Sequence, residues 1–187
     1  MNDKQTEVTE EHQDLYDFKL SSAVHGFPEA GDAVPKGFEP ELTYRALSIY
    51  ASLRTFSETI RLSPFTPFCF LRGLSLRLRN PLLDEVHFTV LRFIAATFIE
   101  PSKEILKASG VDWKFLDTLT WPVFLRDYIL MEHEKEKARF GHEADTEKSA
   151  ETRPELIIAQ RLENEEYHLL PLSLKLGALE WLAAQMA

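Results

Sequence analysis

Apolar side chains recur at helical spacing from residue 41 onward. One set is spaced by four, three and four residues, which places it on one face of a helix over 41–61. Its members are Ile49, Leu53, Phe56 and Ile60. Residues 1–40 show no such period and are acidic, so we expect them to form a disordered tail.

Three further helices are predicted from their start signals. Thr66-Pro67 and Asn80-Pro81 each place a capping side chain directly before a proline, the arrangement preferred at a helix start, and Thr120-Trp121-Pro122 is a similar start. The helix after Asn80 has the widest apolar face and is expected to lie at the centre of the core. Its two stripes contain Leu83, Val86, Val90, Phe93 and Thr97, and Leu91, Ile94 and Phe98.

The carboxy-terminal part predicts a separate pair of helices. Residues 138–152 are polar and charged without an apolar stripe, so we interpret them as a linker. A helix then begins at Pro154, and a last helix follows Pro171. This hairpin, within 153–187, is too small to bury its apolar faces alone and should pack on the first bundle, 41–137, or on another protein.

Composition supports a helical protein in a reducing compartment. The chain has 187 residues, a net charge of −9, seven glycines and a single cysteine, Cys69. Few glycines disfavour an all-β fold rich in tight turns, and one cysteine excludes a disulfide framework. No signal peptide is visible at the amino terminus, and the longest apolar stretch is shorter than the ~20 residues that span a bilayer. We therefore expect an all-α protein without a membrane segment.

Basic residues are concentrated in the middle of this acidic chain. Residues 41–137 carry 13 basic and 12 acidic side chains, and three arginines lie together between the second and third predicted helices. Arg72, Arg77 and Arg79 are candidates for contacts with DNA phosphates. The alternative is that they are solvated or form ion pairs with Asp84 and Glu85.

The sequence does not predict an enzyme. It contains no glycine-rich phosphate loop and no nucleophile motif, and Cys69 lies between two phenylalanines, which favours a core thiol. Asp84 and His87 are one helical turn apart but lack a third metal ligand. We expect no catalytic residues, cofactor, metal or small-molecule substrate.

Aromatic side chains near helix ends are candidates for contacts with a protein partner. Trp121, Tyr128, Tyr167 and Trp181 have the residue types that are enriched at protein interfaces. Packing in the protein's own core is the default interpretation of such residues.

Three blocks of the sequence resemble the DDT domain. Leu47–Phe65 is similar to its first-helix pattern, which ends in Leu-Ser-Pro-Phe, and Asn80–Arg92 is similar to its third-helix segment. Trp121–Leu130 resembles its closing Trp-Pro-x-Phe-Leu-Arg segment, with plant-type nuclear DDT proteins the most similar. Tyr167–Leu182 resembles the first WHIM motif that often follows a DDT domain. The resemblance implies a DDT-type bundle of three to four helices followed by a WHIM-like helical hairpin.

The resemblance also implies a function. Proteins of this family are non-catalytic nuclear subunits of chromatin-remodelling complexes, and their DDT helices are thought to dock on an ISWI-type ATPase. Direct contact with nucleosomal or linker DNA is the alternative that the resemblance leaves open. The later WHIM segments are not present, so a fragment of a longer protein and a minimal adaptor are both open interpretations.

Overall fold

The computed structural model describes residue 35 and residues 38–99, 112–140 and 153–186. Within these ranges the secondary structure is entirely helical, which confirms the predicted all-α class. The α-helices are α1 Pro40–Ile60, α2 Pro67–Ser75, α3 Pro81–Ile94, α4 Trp121–Phe140, α5 Pro154–Asn164 and α6 Leu172–Gln185. The predicted tail up to residue 34 and the linker from residue 141 lie outside the described residues.

Two helix starts form as their cap sequences predict. The Thr66 hydroxyl oxygen accepts a hydrogen bond from the Cys69 backbone N–H at 3.2 Å. Asn80 Oδ1 accepts from the Leu82 backbone N–H at 2.9 Å. Each side chain satisfies an amide that the first helical turn leaves without a partner.

Thr120, the third predicted cap, acts differently. Its hydroxyl donates backward to the carbonyl oxygen of Phe115 at 2.8 Å and accepts from the Asp117 N–H at 2.9 Å. The hydroxyl therefore stabilises the turn before α4, while the Thr120 carbonyl accepts the Val123 N–H at 3.0 Å.

Helix α1 ends at Ile60, one residue before the predicted end at residue 61. Arg61 adopts the left-handed conformation, with φ 56° and ψ 44°. The N–H of Leu62 then donates to the carbonyl of Ser57 at 2.9 Å, which closes the last turn. Leu62 is buried as a result, so local capping and burial of this leucine end the helix.

Helix α3 is the central helix, as predicted. It packs against α1, α2, α4 and α6, and half of its residues are buried. Beyond Ile94 the chain continues as a π-helical turn, Ala95–Ile99. This wider turn changes the helical phase, so Thr97, assigned to the buried stripe from its spacing, is exposed. The side chain of Phe98 lies outside the description.

The carboxy-terminal hairpin packs on the first bundle. Helix α6 lies against α1, α2 and α3, and α5 lies against α4 and α6. Arg45 of α1 forms a bidentate ion pair with Glu180 of α6, with N–O distances of 2.8 and 2.6 Å. The sequence left open whether the hairpin packs on the first bundle or on another protein, and in the structure it packs on the first bundle.

Lys175 provides the most buried polar link between the two parts. Only 2% of this residue is exposed, and its Nζ donates to the carbonyl oxygens of Leu76 at 2.8 Å and Leu74 at 3.3 Å. These carbonyls lie at the end of α2, where the helix provides no further amide donors. Burial lowers the pKa of Lys175, and the nearby charge of Arg77 lowers it further. The lysine of the α6 helix thus caps α2.

We expect Lys175→Met to lower the free energy of unfolding by about 1–3 kcal/mol, because the α2 carbonyls lose a charged donor while the alkyl volume is kept. Urea unfolding followed by circular dichroism measures the change. Lys114→Met, at an exposed lysine, is the matched control and should change stability by no more than about 0.5 kcal/mol. Equal stability of the two variants would show that Lys175 does not stabilise the contact between α2 and α6.

Candidate functional site

Trp121 lies in the core and joins three segments of the chain. It is 1% exposed, and its ring stacks on His87 of α3 with 4.0 Å between centroids and 16° between planes. Tyr167, in the short turn before α6, meets the Trp121 ring edge-on at 4.8 Å. The Trp121 Nε1–H donates to Asp84 Oδ1 at 2.8 Å, which satisfies the indole donor.

A second group of aromatic rings lies between α4 and α6. Tyr128 is buried, and its ring meets Trp181 edge-on at 5.2 Å. Burial raises the pKa of Tyr128 well above its usual value, and that of Tyr167 as well. Trp181 is half-buried.

These positions correct the prediction for the aromatic residues. Trp121, Tyr128 and Tyr167 are buried, so the expectation that they present an exposed docking face is wrong, and the core-packing alternative describes them. Trp181 is partly buried and packs against the same core. Tyr128 is buried because α6 packs back on the bundle and brings Trp181 against it. This contact joins residues far apart in the sequence, so residue type and position near a helix end do not predict it.

His87 is a fully buried core histidine. Its Nδ1 is 2.7 Å from the carbonyl oxygen of Leu83, which indicates an Nδ1–H donor. No hydrogen-bond partner for Nε2 is found among the described residues. Burial lowers the pKa of His87 from 6.5 to about 4, so the ring is neutral at physiological pH.

Asp84, the other half of the candidate metal pair, is occupied by different contacts. One carboxylate oxygen accepts from Trp121, and the other accepts from Arg79 Nε at 2.8 Å. Within the described ranges, no group of three or more potential ligands has a geometry suited to a metal ion.

The arginine cluster divides into two kinds of residue. Arg79 is held by Asp84 and also donates to the carbonyl oxygen of Thr118, so the ion-pair alternative applies to this arginine. Glu85 instead accepts the backbone N–H of Ser63 at 3.1 Å. Arg72 and Arg77 are exposed, and neither forms an ion pair within the part of the chain that the structure describes.

Four exposed apolar residues near Arg79 were missed by the sequence analysis. We call this set the apolar rim: Leu78 (70% exposed), Phe115 (71%), Leu119 (66%) and Val123 (50%). Its residues come from the α2–α3 loop, from the turn before α4 and from the start of α4. A signal was available, because these apolar residues fall outside every helical stripe.

An open groove of about 870 Å³ lies between α4 and α5. Leu130 and Ile157 contribute apolar walls, and Arg126 and Asp127 on its edge are ion-paired with each other at 2.7 Å. The charged side chains of this edge thus neutralise each other.

The helical bundle matches a known domain family. Residues 41–97, which span α1, α2, α3 and part of the π-helical turn, match the family described as the DDT domain. This part of the chain is a DDT domain.

Two curated relatives are similar to the chain. It is 32% identical over 150 residues to the DDT domain-containing protein PTM of Arabidopsis thaliana, covering 77% of this chain and 8% of that protein. It is 34% identical over 91 residues to the nucleosome-remodeling factor subunit NURF301 of Drosophila melanogaster, covering 46% of this chain and 3% of that protein. The chain therefore spans a small part of the length of either relative.

No solved structure matches the chain significantly. Among the described helices, none combines the length and apolar character needed to cross a lipid bilayer.

Proposed function

We propose that this chain is a non-catalytic module of a nuclear chromatin-remodelling complex and that it docks on an ISWI-type remodelling ATPase. The observation that carries the proposal is the similarity over 91 residues to a nucleosome-remodeling factor subunit, together with the DDT match over 41–97. The WHIM-like helices α5 and α6 belong to the same proposed module.

The structure supports a scaffold role through its packing. Helix α6 is attached to the DDT helices by the Arg45–Glu180 pair and by buried Lys175. A partner would therefore meet the DDT helices and the WHIM-like hairpin as one preformed surface. Preformed surfaces lose little conformational entropy on binding, which favours a docking function.

Size-exclusion chromatography with light scattering tests whether such a complex forms. The full chain, mixed with an ISWI-type ATPase, should elute with it at a mass that fits one copy of each protein. Separate elution at micromolar concentrations of both proteins would contradict the proposal.

DNA binding is the second candidate function, because Arg72 and Arg77 are exposed and have no ion-pair partner among the described residues. If these arginines contact phosphates, Arg72→Glu with Arg77→Glu should weaken duplex binding and reduce the salt slope by about 2. Arg79 is left intact because it holds the turn before α4. Arg54→Glu, at an exposed arginine of α1, is the control.

Fluorescence anisotropy with labelled duplex DNA over a salt series measures both quantities. Unchanged affinity and slope in the double variant would exclude this arginine site. The net charge of −9 disfavours strong DNA binding and makes the scaffold function the first candidate.

A further inference from the structure

Ser75 lies at the carboxyl end of α2, between the two exposed arginines of the cluster. It is the last residue of the helix, and its hydroxyl donates to the carbonyl oxygen of Arg72 at 2.8 Å. The residue is half-buried, but this hydrogen bond lies at the surface. Arg72 precedes it by three residues and therefore lies on the same helical face, and Arg77 follows two residues later in the α2–α3 loop.

A third cation borders the same helix end. The Nζ of Lys175 donates to the carbonyl oxygens of Leu74 and Leu76, the residues on either side of Ser75. Burial lowers the pKa of Lys175, and Arg77 is near enough to lower it further, whereas no carboxylate in the described part of the chain raises it. Ser75 therefore lies in a positively charged environment.

The carboxylates of the neighbouring segments interact with Arg79 instead. Asp84 accepts from Arg79 Nε at 2.8 Å. Hydrogen bonds within its own turn lower the pKa of Asp117, and the charge of Arg79 lowers it further. The surface around Arg79 is therefore of mixed charge, while Arg72 and Arg77 have no ion-pair partner among the described residues.

We propose that Ser75 is a phosphorylation site for a serine kinase that selects basic residues on both sides of its target, and that Arg72 and Arg77 hold the phosphate. The sequence around it is Arg72-Gly73-Leu74-Ser75-Leu76-Arg77, with an arginine three residues before the serine and another two residues after it. Kinases use charge patterns of this kind to choose their substrates.

The modification is the transfer of the γ-phosphoryl group of ATP to Ser75 Oγ. A bond forms between Oγ and the γ-phosphorus, and the bond from that phosphorus to the bridging oxygen of ADP breaks. The hydroxyl proton passes to the catalytic base of the kinase, and ADP leaves.

The surroundings of Ser75 favour a bound phosphate. A negative group at the carboxyl end of a helix is opposed by the helix dipole, but the ammonium group of Lys175 already lies at this end. Hydrogen bonds between guanidinium groups and phosphate are among the strongest in proteins. The phosphate adds a charge of about −2, which matches the two arginines, so modification would neutralise the exposed part of the cluster.

Ser57 of α1 provides a matched comparison within the same chain. It also follows an arginine by three residues, its hydroxyl donates to the carbonyl oxygen of Arg54 at 2.8 Å, and it is half-buried. However, Ser57 lies before the end of its helix and is followed by Glu58. A kinase that binds an extended basic segment must open paired helical turns there and meet a carboxylate. At Ser75 only the last turn must open, because residues 76–80 are not helical.

Incubation of the full chain with ATP, Mg²⁺ and a kinase of the protein kinase C class tests the site, since such a kinase prefers basic residues around its serine. Mass spectrometry of proteolytic peptides measures the modified fraction at each position. We expect Ser75 to be phosphorylated about tenfold faster than Ser57. Ser75→Ala should remove the phosphate from its peptide, and Ser57→Ala should leave modification of Ser75 unchanged.

Circular dichroism should show that the chain and both variants are folded. Absence of phosphate at Ser75 in the folded chain would overturn the proposal. Equal rates at Ser57 and Ser75 would also overturn it, because the three-residue spacing alone would then decide the modification.

Phosphorus NMR of the modified chain tests the contact with the arginines. The second pKa of a phosphoserine is about 6, and two adjacent guanidinium groups should lower it by about half a unit or more. The same sample in urea provides the reference value, because unfolding removes the contact. The same phosphate pKa in the folded and the unfolded chain would show that Arg72 and Arg77 do not hold the phosphate.

The inference rests on the second candidate function only in what the phosphate would block. If Arg72 and Arg77 contact DNA, the phosphorylated chain should bind labelled duplex DNA more weakly and with a smaller salt slope. If neither form binds DNA, that candidate function fails. The peptide mapping and the phosphate pKa still decide whether Ser75 is a phosphorylation site.

Discussion

Replacing Trp121 with alanine is expected to lower the free energy of unfolding by about 3–5 kcal/mol, the range for deleting a large buried aromatic side chain. The ring stacks on His87, and its N–H is the donor to Asp84. The substitution thus leaves a cavity and removes a hydrogen bond from a carboxylate that also holds Arg79. Urea unfolding of the purified chain measures the effect.

Phe115→Ala provides the matched control, because Phe115 is an exposed aromatic residue in the turn before the same helix. Its removal should change the free energy of unfolding by no more than about 0.5 kcal/mol. If Trp121→Ala were as stable as this control, Trp121 would not be a core residue. A loss of partner binding in the Trp121 variant must therefore be compared with its stability before it is assigned to a contact.

Acidification should destabilise the fold through His87. Its pKa is lowered from 6.5 to about 4 in the folded state, because burial disfavours the charged ring. Between these values the unfolded chain binds a proton that the folded chain does not, so stability is lost as the pH falls from 6.5 toward 4. At 1.36 kcal/mol per pKa unit, the full loss is about 3 kcal/mol.

His87→Phe should remove this contribution while it keeps an aromatic ring against Trp121. Unfolding free energies measured from pH 7 to pH 4 should fall less steeply in this variant than in the unmodified chain. His168→Phe is the control, because it leaves His87 in place and should keep the steeper dependence. Parallel pH profiles for the unmodified chain and His87→Phe would contradict the assigned role of the buried ring.

Local sequence determines the helix starts and therefore predicts them. A cap acts within three residues, so Thr66 and Asn80 identify the beginnings of α2 and α3 directly. The helix interiors follow from apolar spacing, as Leu53 and Ile60 of α1 show by their burial. Thr97 is exposed although its spacing places it on a buried stripe, because the helix widens into a π-helical turn that does not follow the ideal helical period.

The candidate site is harder to predict because it depends on contacts between distant residues. Lys175 caps a helix about a hundred positions earlier in the chain, and nothing in the sequence near either residue shows this. Trp121 and Tyr167 likewise contact each other from distant parts of the sequence. Exposed and buried aromatic residues near a helix end look alike in the sequence, so the sequence did not predict that Trp121, Tyr128 and Tyr167 are buried.

The division of the arginine cluster has a similar cause. Asp84 is close enough in sequence to Arg79 for the ion pair to be considered, and that pair forms at 2.8 Å. Arg79 also donates to the carbonyl oxygen of Thr118, 39 residues later in the chain. Arg79 thereby links the α2–α3 loop, which carries Leu78, to the turn before α4, which carries Leu119.

Docking on the remodelling ATPase can be measured by a calorimetric titration of the full chain into the carboxy-terminal region of an ISWI-type ATPase, with a duplex-DNA titration run under the same buffer and salt. We expect binding to the ATPase region at micromolar affinity or tighter and little heat with DNA. Salt-sensitive binding to DNA without binding to the ATPase region would contradict the scaffold function and assign the function to the exposed arginines.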